Sequence, residues 1–408
     1  MSGKPRILIL NTDYPEYLDW LYVRHPGLEE QPYDEQMGLR SESMFSVADF
    51  YSSNLRRLGH EAWDIHVNNE FMQKAWAKEQ GVRVREPTPG SQLTRIALRR
   101  ARRIAAKTPL HRLIPLLRPL VSYLSSPAPW FYDILAAQIK HYKPDVLLNQ
   151  AMDGISSRFL REMRPHLRLL VGQIASPLPR DEDFSCYDLI ISSLPIFVEH
   201  FRSLGARSEL HRLGFESAVL LRLKGRDPEI PVSFVGSLSS AHRTRVSLLD
   251  YLCSHLDIRI WGSGLDRLPK GSPIRSHYKG SAWGTEMYQI LHTSKMTLNH
   301  HIDIAGSFAN NMRLFEATGV GTLLITDWKE NLHELFEPDK EVIAYRDPEE
   351  CAELIQYYLE HENEREAIAR AGQQRTLREH TYYHRMQELE DIILRHLHIS
   401  AARLGGKI

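Results

Sequence analysis

The 408-residue sequence predicts an α/β protein made of two doubly wound domains in series, facing each other across a cleft. Three observations carry that expectation. Short continuous apolar runs, of which Arg6-Ile-Leu-Ile-Leu10 is the first, suit strands buried on both faces of a parallel sheet. Stretches with helical spacing separate these runs, and such alternation implies parallel pairing through βαβ units. The series occurs twice, divided by residues 214–231, which carry turn formers and charge.

In the first series, strands are expected at 6–10, 61–67, 145–149, 167–174 and 188–192. Its helices are expected from Ser41 to Leu58 and around 129–142, 154–164 and 194–204. The second series places strands at 232–235, 258–261, 296–299, 322–326 and 341–345. Helices are expected there at 240–255 and 308–318, with three more between Asp347 and His396. Residues 1–214 read as the N-terminal domain, 231–380 as the C-terminal domain, and 381–408 as a helix crossing back to the first.

Composition narrows the function. Lys+Arg and Asp+Glu both number 51, so the formal charge is zero and a wholly basic nucleic-acid binder is excluded. Hydrophobic residues at 42% and charged residues at 25% exclude a disordered chain. Cys186, Cys253 and Cys351 are far apart and odd in number, which fits a reducing compartment and no disulfide framework. No apolar stretch reaches the roughly 18 residues of a spanning helix, so the expected location is cytoplasmic. The zero conceals an asymmetry. Residues 88–126 contain no acidic residue and eight Lys or Arg, from Arg95 to Arg118.

The densest run of candidate chemistry is Ala309-Asn-Asn-Met-Arg-Leu-Phe-Glu-Ala-Thr-Gly-Val-Gly-Thr-Leu-Leu-Ile-Thr-Asp327. It opens a helix with two amides, and a helix N-terminus offers unpaired N–H groups to a phosphate. Arg313 and Glu316 share a helical face: the carboxylate can accept from two ribose hydroxyls while the arginine faces a diphosphate. The competing reading is a plain surface ion pair. Asn299-His-His-Ile-Asp303 follows a strand and offers hydrogen bonds to a phosphate or sugar; its spacing fits no standard zinc pattern. Asp181-Glu-Asp183 sits in a charged loop and reads as solvated, while Gly262-Ser-Gly264 is either a structural turn or a close approach for a phosphate.

From about Val232 onward, the sequence resembles the C-terminal domain of CgeB-like glycosyltransferases. The resemblance rests on Ser294-Lys-Met-Thr-Leu-Asn299, Asn310-Asn-Met-Arg-Leu-Phe-Glu316, Thr326-Asp-Trp-Lys-Glu-Asn-Leu-His-Glu-Leu-Phe336, Lys340-Glu-Val-Ile-Ala-Tyr345, Glu364-Arg-Glu-Ala-Ile-Ala-Arg-Ala-Gly372 and His380-Thr381, in that order. The first half is similar through Asn11-Thr-Asp-Tyr-Pro15 and Asp49-Phe-Tyr-Ser52.

The resemblance implies a GT-B fold of two Rossmann-like domains and transfer of a sugar from a nucleotide-diphosphate donor to a glycan, lipid-linked or protein acceptor. It implies a donor site on the C-terminal domain from Gly236, Arg243, Lys279, Asn310, Asn311, Arg313, Glu316, Thr326 and Asp327. Glu316 matches the second carboxylate of a Glu-x7-Glu pattern, and Phe308 stands where the first would be. No cofactor and no metal are expected. For the general base of an inverting transfer, Asp13 at a strand end is the first candidate, with Asp153, His25 and His60 behind it and His300 facing the donor. The basic segment 95–118 reads as a contact for an anionic membrane face, a dock for an acidic acceptor, or an arm pairing with the protein's own acidic surface. A nucleotide-sugar epimerase on the same fold and a non-catalytic nucleotide-sugar-binding protein are the rival functions.

Overall fold

The computed structural model describes residues 3–85, 128–179, 183–225, 229–238 and 243–405. The basic segment 88–126, Asp181-Glu182 and His242 lie outside the described residues.

The N-terminal sheet consists of β1 Ile7–Asn11, β2 Ala62–His66, β3 Val146–Asn149, β4 Leu169–Gln173, β5 Leu189–Ser192 and β6 Ser208–Leu210. Its spatial order is β2-β1-β3-β4-β5-β6, and the pairs are parallel. Among the described residues, seven helices cover it: α1 Pro15–Arg24, α2 Tyr33–Glu42, α3 Phe50–Arg57, α4 Glu70–Glu79, α5 Pro129–Tyr142, α6 Ser157–Met163 and α7 Pro195–Ser203. Proline at the first turn of α1, α5 and α7 supplies a fixed φ where no N–H is needed. Side chains of Asn69 and Ser156 cap α4 and α6.

The C-terminal sheet is built from β7 Ile230–Val235, β8 Arg259–Trp261, β9 Tyr278–Gly280, β10 Ser294–Asn299, β11 Leu323–Asp327 and β12 Ile343–Tyr345. Its order is β12-β11-β10-β7-β8-β9, again parallel. The helices are α8 Arg243–His255, α9 Ile274–His277, α10 Gly284–His292, α11 Met312–Gly319, α12 Leu332–Leu335, α13 Pro348–Glu360, α14 Glu362–Glu379 and α15 Tyr382–Gly405. Strand order reverses between β1 and β3 in one sheet and between β7 and β10 in the other. At such switch points the loops after the strands part and leave a crevice for a ligand.

Two crossings join the domains, and they are pinned together. Phe215 N donates to His380 O at 2.8 Å and Tyr382 N donates to Phe215 O at 2.9 Å. Helix α15 then packs on α3, with Tyr382 against Phe50 and Tyr51 at ring separations of 5.2 and 5.7 Å. The buried cluster around these residues draws on both sheets, from Ile9 and Val171 to Leu314 and Leu324. Gly319 is required here, because a Cβ would stand 2.4 Å from the Phe215 ring.

The expected helix from Ser41 to Leu58 is instead two, α2 and α3, with a loop between them. Met44, Ser46 and Ala48 all have positive φ there. Tertiary contact explains the break. Ser43 O accepts from Thr285 N at 2.8 Å, and Gly284 lies so close that a Cβ would be 1.9 Å from that oxygen. The loop is thus shaped to dock on the start of α10 rather than to continue a helix.

Candidate active site

The carboxyl ends of β7, β10 and β11 and the starts of α8 and α11 converge at the C-terminal switch point. A polar ladder fixes them. Asn299 Nδ2 donates to Thr326 Oγ1 at 2.9 Å, and Asn311 Nδ2 donates to Asn299 Oδ1 at 2.7 Å. Asn311 Oδ1 also accepts from Leu314 N, so this residue caps α11, which begins at Met312 rather than at 308. In the first turn, Arg313 Nη1 lies 2.9 Å from Glu316 Oε2. Arg313 Nη2 donates to Val235 O at 3.0 Å, and Tyr288 Oη donates to Glu316 Oε1 at 3.4 Å. The pair is 13% and 6% exposed, so it is not the solvated surface pair that spacing alone allows.

A second guanidinium enters from α8. Arg245 is buried over the Phe234 ring and donates to His300 O through Nε and Nη2 and to Ser237 O through Nη1. Its partners in these bonds are carbonyls; two of its five N–H donors remain. Burial, against the pull of Asp327 and together with the Arg313 charge, lowers its pKa to about 10. It stays charged at neutral pH.

His301 donates Nδ1–H to Asp327 Oδ1 at 2.6 Å, and its backbone N–H reaches the same oxygen at 3.0 Å. Lys329 Nζ lies 3.2 Å from Asp327 Oδ2. Burial alone would raise the Asp327 carboxyl, but the His301 hydrogen bond and the charges of His301, His300 and Lys329 hold it well below the usual carboxylate range. His300 Nδ1 is 2.9 Å from Tyr345 Oη and its Nε2 is 3.1 Å from Thr244 Oγ1. Burial lowers the His300 pKa.

The structure therefore brings together Gly236, His300, Asn311, Arg313, Glu316, Thr326 and Asp327. Gly236 N donates to Trp261 O, and Gly262 presses on Gly236 so closely that a Cβ would stand 1.8 Å from its oxygen. Gly262 is thus required by the close approach of the two backbones. Asn310 lines a cavity of ≈ 20 Å³ between the domains, with Ser193, Arg212 and Asn331. Arg243 is exposed at the first position of α8, and Lys279 is exposed on the edge strand β9. Neither joins the polar ladder. Arg245, two residues on, is the buried arginine of α8. Phe308 is half-buried with Ile302 and Ile304 against Met152, Ile174 and Leu194 of the other domain.

Asp13 departs most from expectation. Its carboxylate does not rim the cleft: it is 0% exposed, 2.6 Å from Arg40 Nη2 and 3.2 Å from His66 Nδ1. Burial would raise its pKa, but the charges of His66 and Arg40 outweigh that and hold it well below the ordinary range. An enclosed, doubly paired carboxylate cannot collect a proton from an acceptor, so Asp13 is an anchor of β1 and not the base. His60 is buried likewise, with Nε2 3.0 Å from Glu390. Asp153 is exposed beyond β3, at the N-terminal switch point. Asp183 is paired with Arg161 and bonds Ser185 N.

Residues 243–391 match a family model described as glycosyl transferase-like. The C-terminal domain is a glycosyltransferase-like domain. No protein of curated function matches the sequence. Among solved structures, Anabaena Alr3699/HepE in complex with UDP-glucose superposes with a TM-score of 0.58 at 13% identity, covering 96% of this chain and 100% of that one. A glycosyltransferase from Rickettsia africae gives 0.56 at 12% identity, covering 97% and 99%. AviGT4, a glycosyltransferase of avilamycin A biosynthesis, gives 0.55 at 12%, covering 96% and 98%. These likenesses extend over both sheets, and the fold is GT-B. Among the described residues, no helix is long and apolar enough to cross a membrane.

Proposed function

We propose that this chain is a nucleotide-sugar-dependent glycosyltransferase of the CgeB-like group, taking a UDP-sugar as donor. The observation that carries the reading is the pair of guanidiniums at the C-terminal switch point. Arg313 has a carboxylate partner, whereas Arg245 is held by carbonyls. The local excess of positive charge suits a diphosphate, and it is pre-aimed by hydrogen bonds to strand ends. The uridine is proposed from Alr3699/HepE, whose structure holds UDP-glucose.

As the bond from the sugar to the diphosphate breaks, negative charge grows on the leaving oxygen. Arg245, Arg313 and the first N–H groups of α11 stabilise it without reorganising. In this reading the arginines supply the positive charge that a metal ion supplies elsewhere. Glu316 holds the ribose, and the dyad of His301 and Asp327 with His300 borders the sugar. Asp153 takes the acceptor proton from the facing domain. The basic segment 88–126 holds an anionic carrier of the acceptor, including peripheral contact with the inner membrane face.

Thermal shift with UDP, ADP and GDP tests the donor. UDP at about 100 times its Kd should add roughly 2.7 kcal/mol of stability. The reading fails if no nucleoside diphosphate stabilises the protein and no UDP-sugar is turned over to UDP.

A further inference from the structure

His300 follows β10 and sits in a row of hydrogen-bonding contacts whose directions are fixed from both ends. At one end Tyr345 Oη donates to Asn299 O at 2.8 Å, which commits its only hydrogen. The 2.9 Å contact between Tyr345 Oη and His300 Nδ1 therefore requires Nδ1–H as the donor. At the other end Thr244 Oγ1 donates to Asp303 Oδ1, and a carboxylate only accepts. The Thr244 hydrogen is committed as well. His300 Nε2, 3.1 Å from Thr244 Oγ1, must then donate too. Four contacts need four hydrogens, whereas the two hydroxyls and a neutral imidazole hold three. The row is complete only when His300 is an imidazolium.

The surroundings oppose that charge. The ring is half-buried, and the Arg245 guanidinium donates to the carbonyl of the same residue at 2.6 and 3.1 Å. Lys329 stands on the far side of Asp327, His301 is next in the chain, and Arg313 on α11 adds to the positive field at Arg245. Against them stand Asp327 Oδ2, 3.9 Å from Nδ1, and Asp303 behind Thr244. Burial first, and then Arg245 and Lys329, outweigh Asp327 and lower the His300 pKa. In the free protein the ring is thus neutral at pH 7. The lone pairs of Nε2 and Thr244 Oγ1 then oppose each other unless Thr244 gives up Asp303.

We infer that binding of the donor diphosphate loads a proton from solvent onto His300 Nε2, so that the site gains this positive charge only when it is occupied. The inference rests on the donor reading above and deepens it. A diphosphate brought to Arg245 and Arg313 cancels the charge that keeps the ring neutral and adds negative charge of its own. The incoming proton finds its acceptor in place: Nδ1–H stays on Tyr345, Nε2–H reaches Thr244 Oγ1, and Thr244 keeps Asp303. No side chain has to move. Thr244 immediately precedes Arg245 in the first turn of α8, so the completed row also holds the turn that carries this guanidinium. His300 is in this sense a positioning residue whose charge follows the donor.

Isothermal titration calorimetry of the full chain with UDP-glucose, UDP-galactose and UDP-N-acetylglucosamine tests this in PIPES and in imidazole buffer. The diphosphodiester of these probes holds no group that titrates near neutral pH. The dependence of the observed heat on buffer ionisation enthalpy therefore counts protons taken up by the protein. At pH 7 an uptake of about half a proton or more per bound probe is expected, and Kd should rise about threefold or more from pH 6.5 to 7.5. His300→Gln cannot titrate and should bind without uptake, with a Kd independent of pH. Thr244→Val removes the acceptor of Nε2–H from an exposed position and should take up about half as much or less. Thermal melting shows that the variants are folded, and Thr244→Val decides if His300→Gln is not. No uptake in the wild type, or undiminished uptake in a folded variant, would overturn the inference. Failure of every probe to bind would overturn the donor reading, a result distinct from binding without uptake.

Discussion

Replacing Arg313 by methionine separates a fold element from a ligand site. The change removes the ion pair to Glu316 at 2.9 Å and the hydrogen bond to Val235 O at 3.0 Å. A buried carboxylate deprived of its partner costs about 3–5 kcal/mol, and the partial exposure of Arg313 places this case near 3. For a domain of this size each kcal/mol moves Tm by about 2–4 °C, so Arg313→Met should lower it by roughly 6–12 °C. Adding Glu316→Gln removes the stranded charge while keeping an acceptor for Tyr288 Oη, and should restore most of that loss. UDP binding should not return. A charge-assisted hydrogen bond to phosphate is worth about 1.5–3 kcal/mol, hence roughly 10- to 100-fold in Kd for both variants. Thermal melting and UDP titration of the single and double variants measure both quantities. A double variant with recovered Tm and wild-type UDP affinity would refute the argument, leaving the pair as a fold element alone.

Three further outcomes follow from the geometry. Gly262→Ala forces a Cβ against Gly236 O at a backbone φ of 147°, and should cost at least about 2 kcal/mol together with UDP affinity, read by urea unfolding and titration. Asp13→Asn should cost about 3 kcal/mol at pH 7. Because the folded Asp13 pKa is depressed, its contribution is present above the ordinary carboxyl value of about 3.9 and fades below it, so wild type and variant should converge as pH falls under 4. His380 is lowered by burial to about 4, so it stays neutral in the fold while the unfolded chain protonates near 6.5. Its contribution, on the order of 1–3 kcal/mol, is full above about 6.5 and is lost as pH falls through 4. His380→Asn should flatten that slope in urea unfolding at pH 7.5, 6 and 5, and an unchanged slope removes the assignment.

The parallel α/β plan was legible because β1, β3, β4 and β5 are continuous apolar runs buried on both faces. Elements without such a signature were not. Helix α2 turns Gln36 and Arg40 inward, so its buried face is polar and leaves no hydrophobic period. Strands β6 and β9 have three residues each and sit at sheet edges. In the site, Arg313 and Glu316 were visible from their spacing on one helix. Choosing Arg245 over Arg243 needed the rotation of α8 about its axis, which no local pattern encodes. Asp13 was misjudged because its partners, Arg40 and His66, lie 27 and 53 positions away and meet only when β1, β2 and α2 assemble.

The return of α15 to the first domain limits how this protein can be recombined. A chimera cut only at 214–231 would strand Tyr382 and Leu389 of the donor half without α3, and leave Phe50 and Tyr51 facing water. A viable exchange must carry 382–405 with the N-terminal partner, so the portable unit is discontinuous in sequence. Biosynthesis meets the same constraint. The first domain to leave the ribosome cannot complete its core until the last helix emerges, and its apolar surface must be protected during that interval.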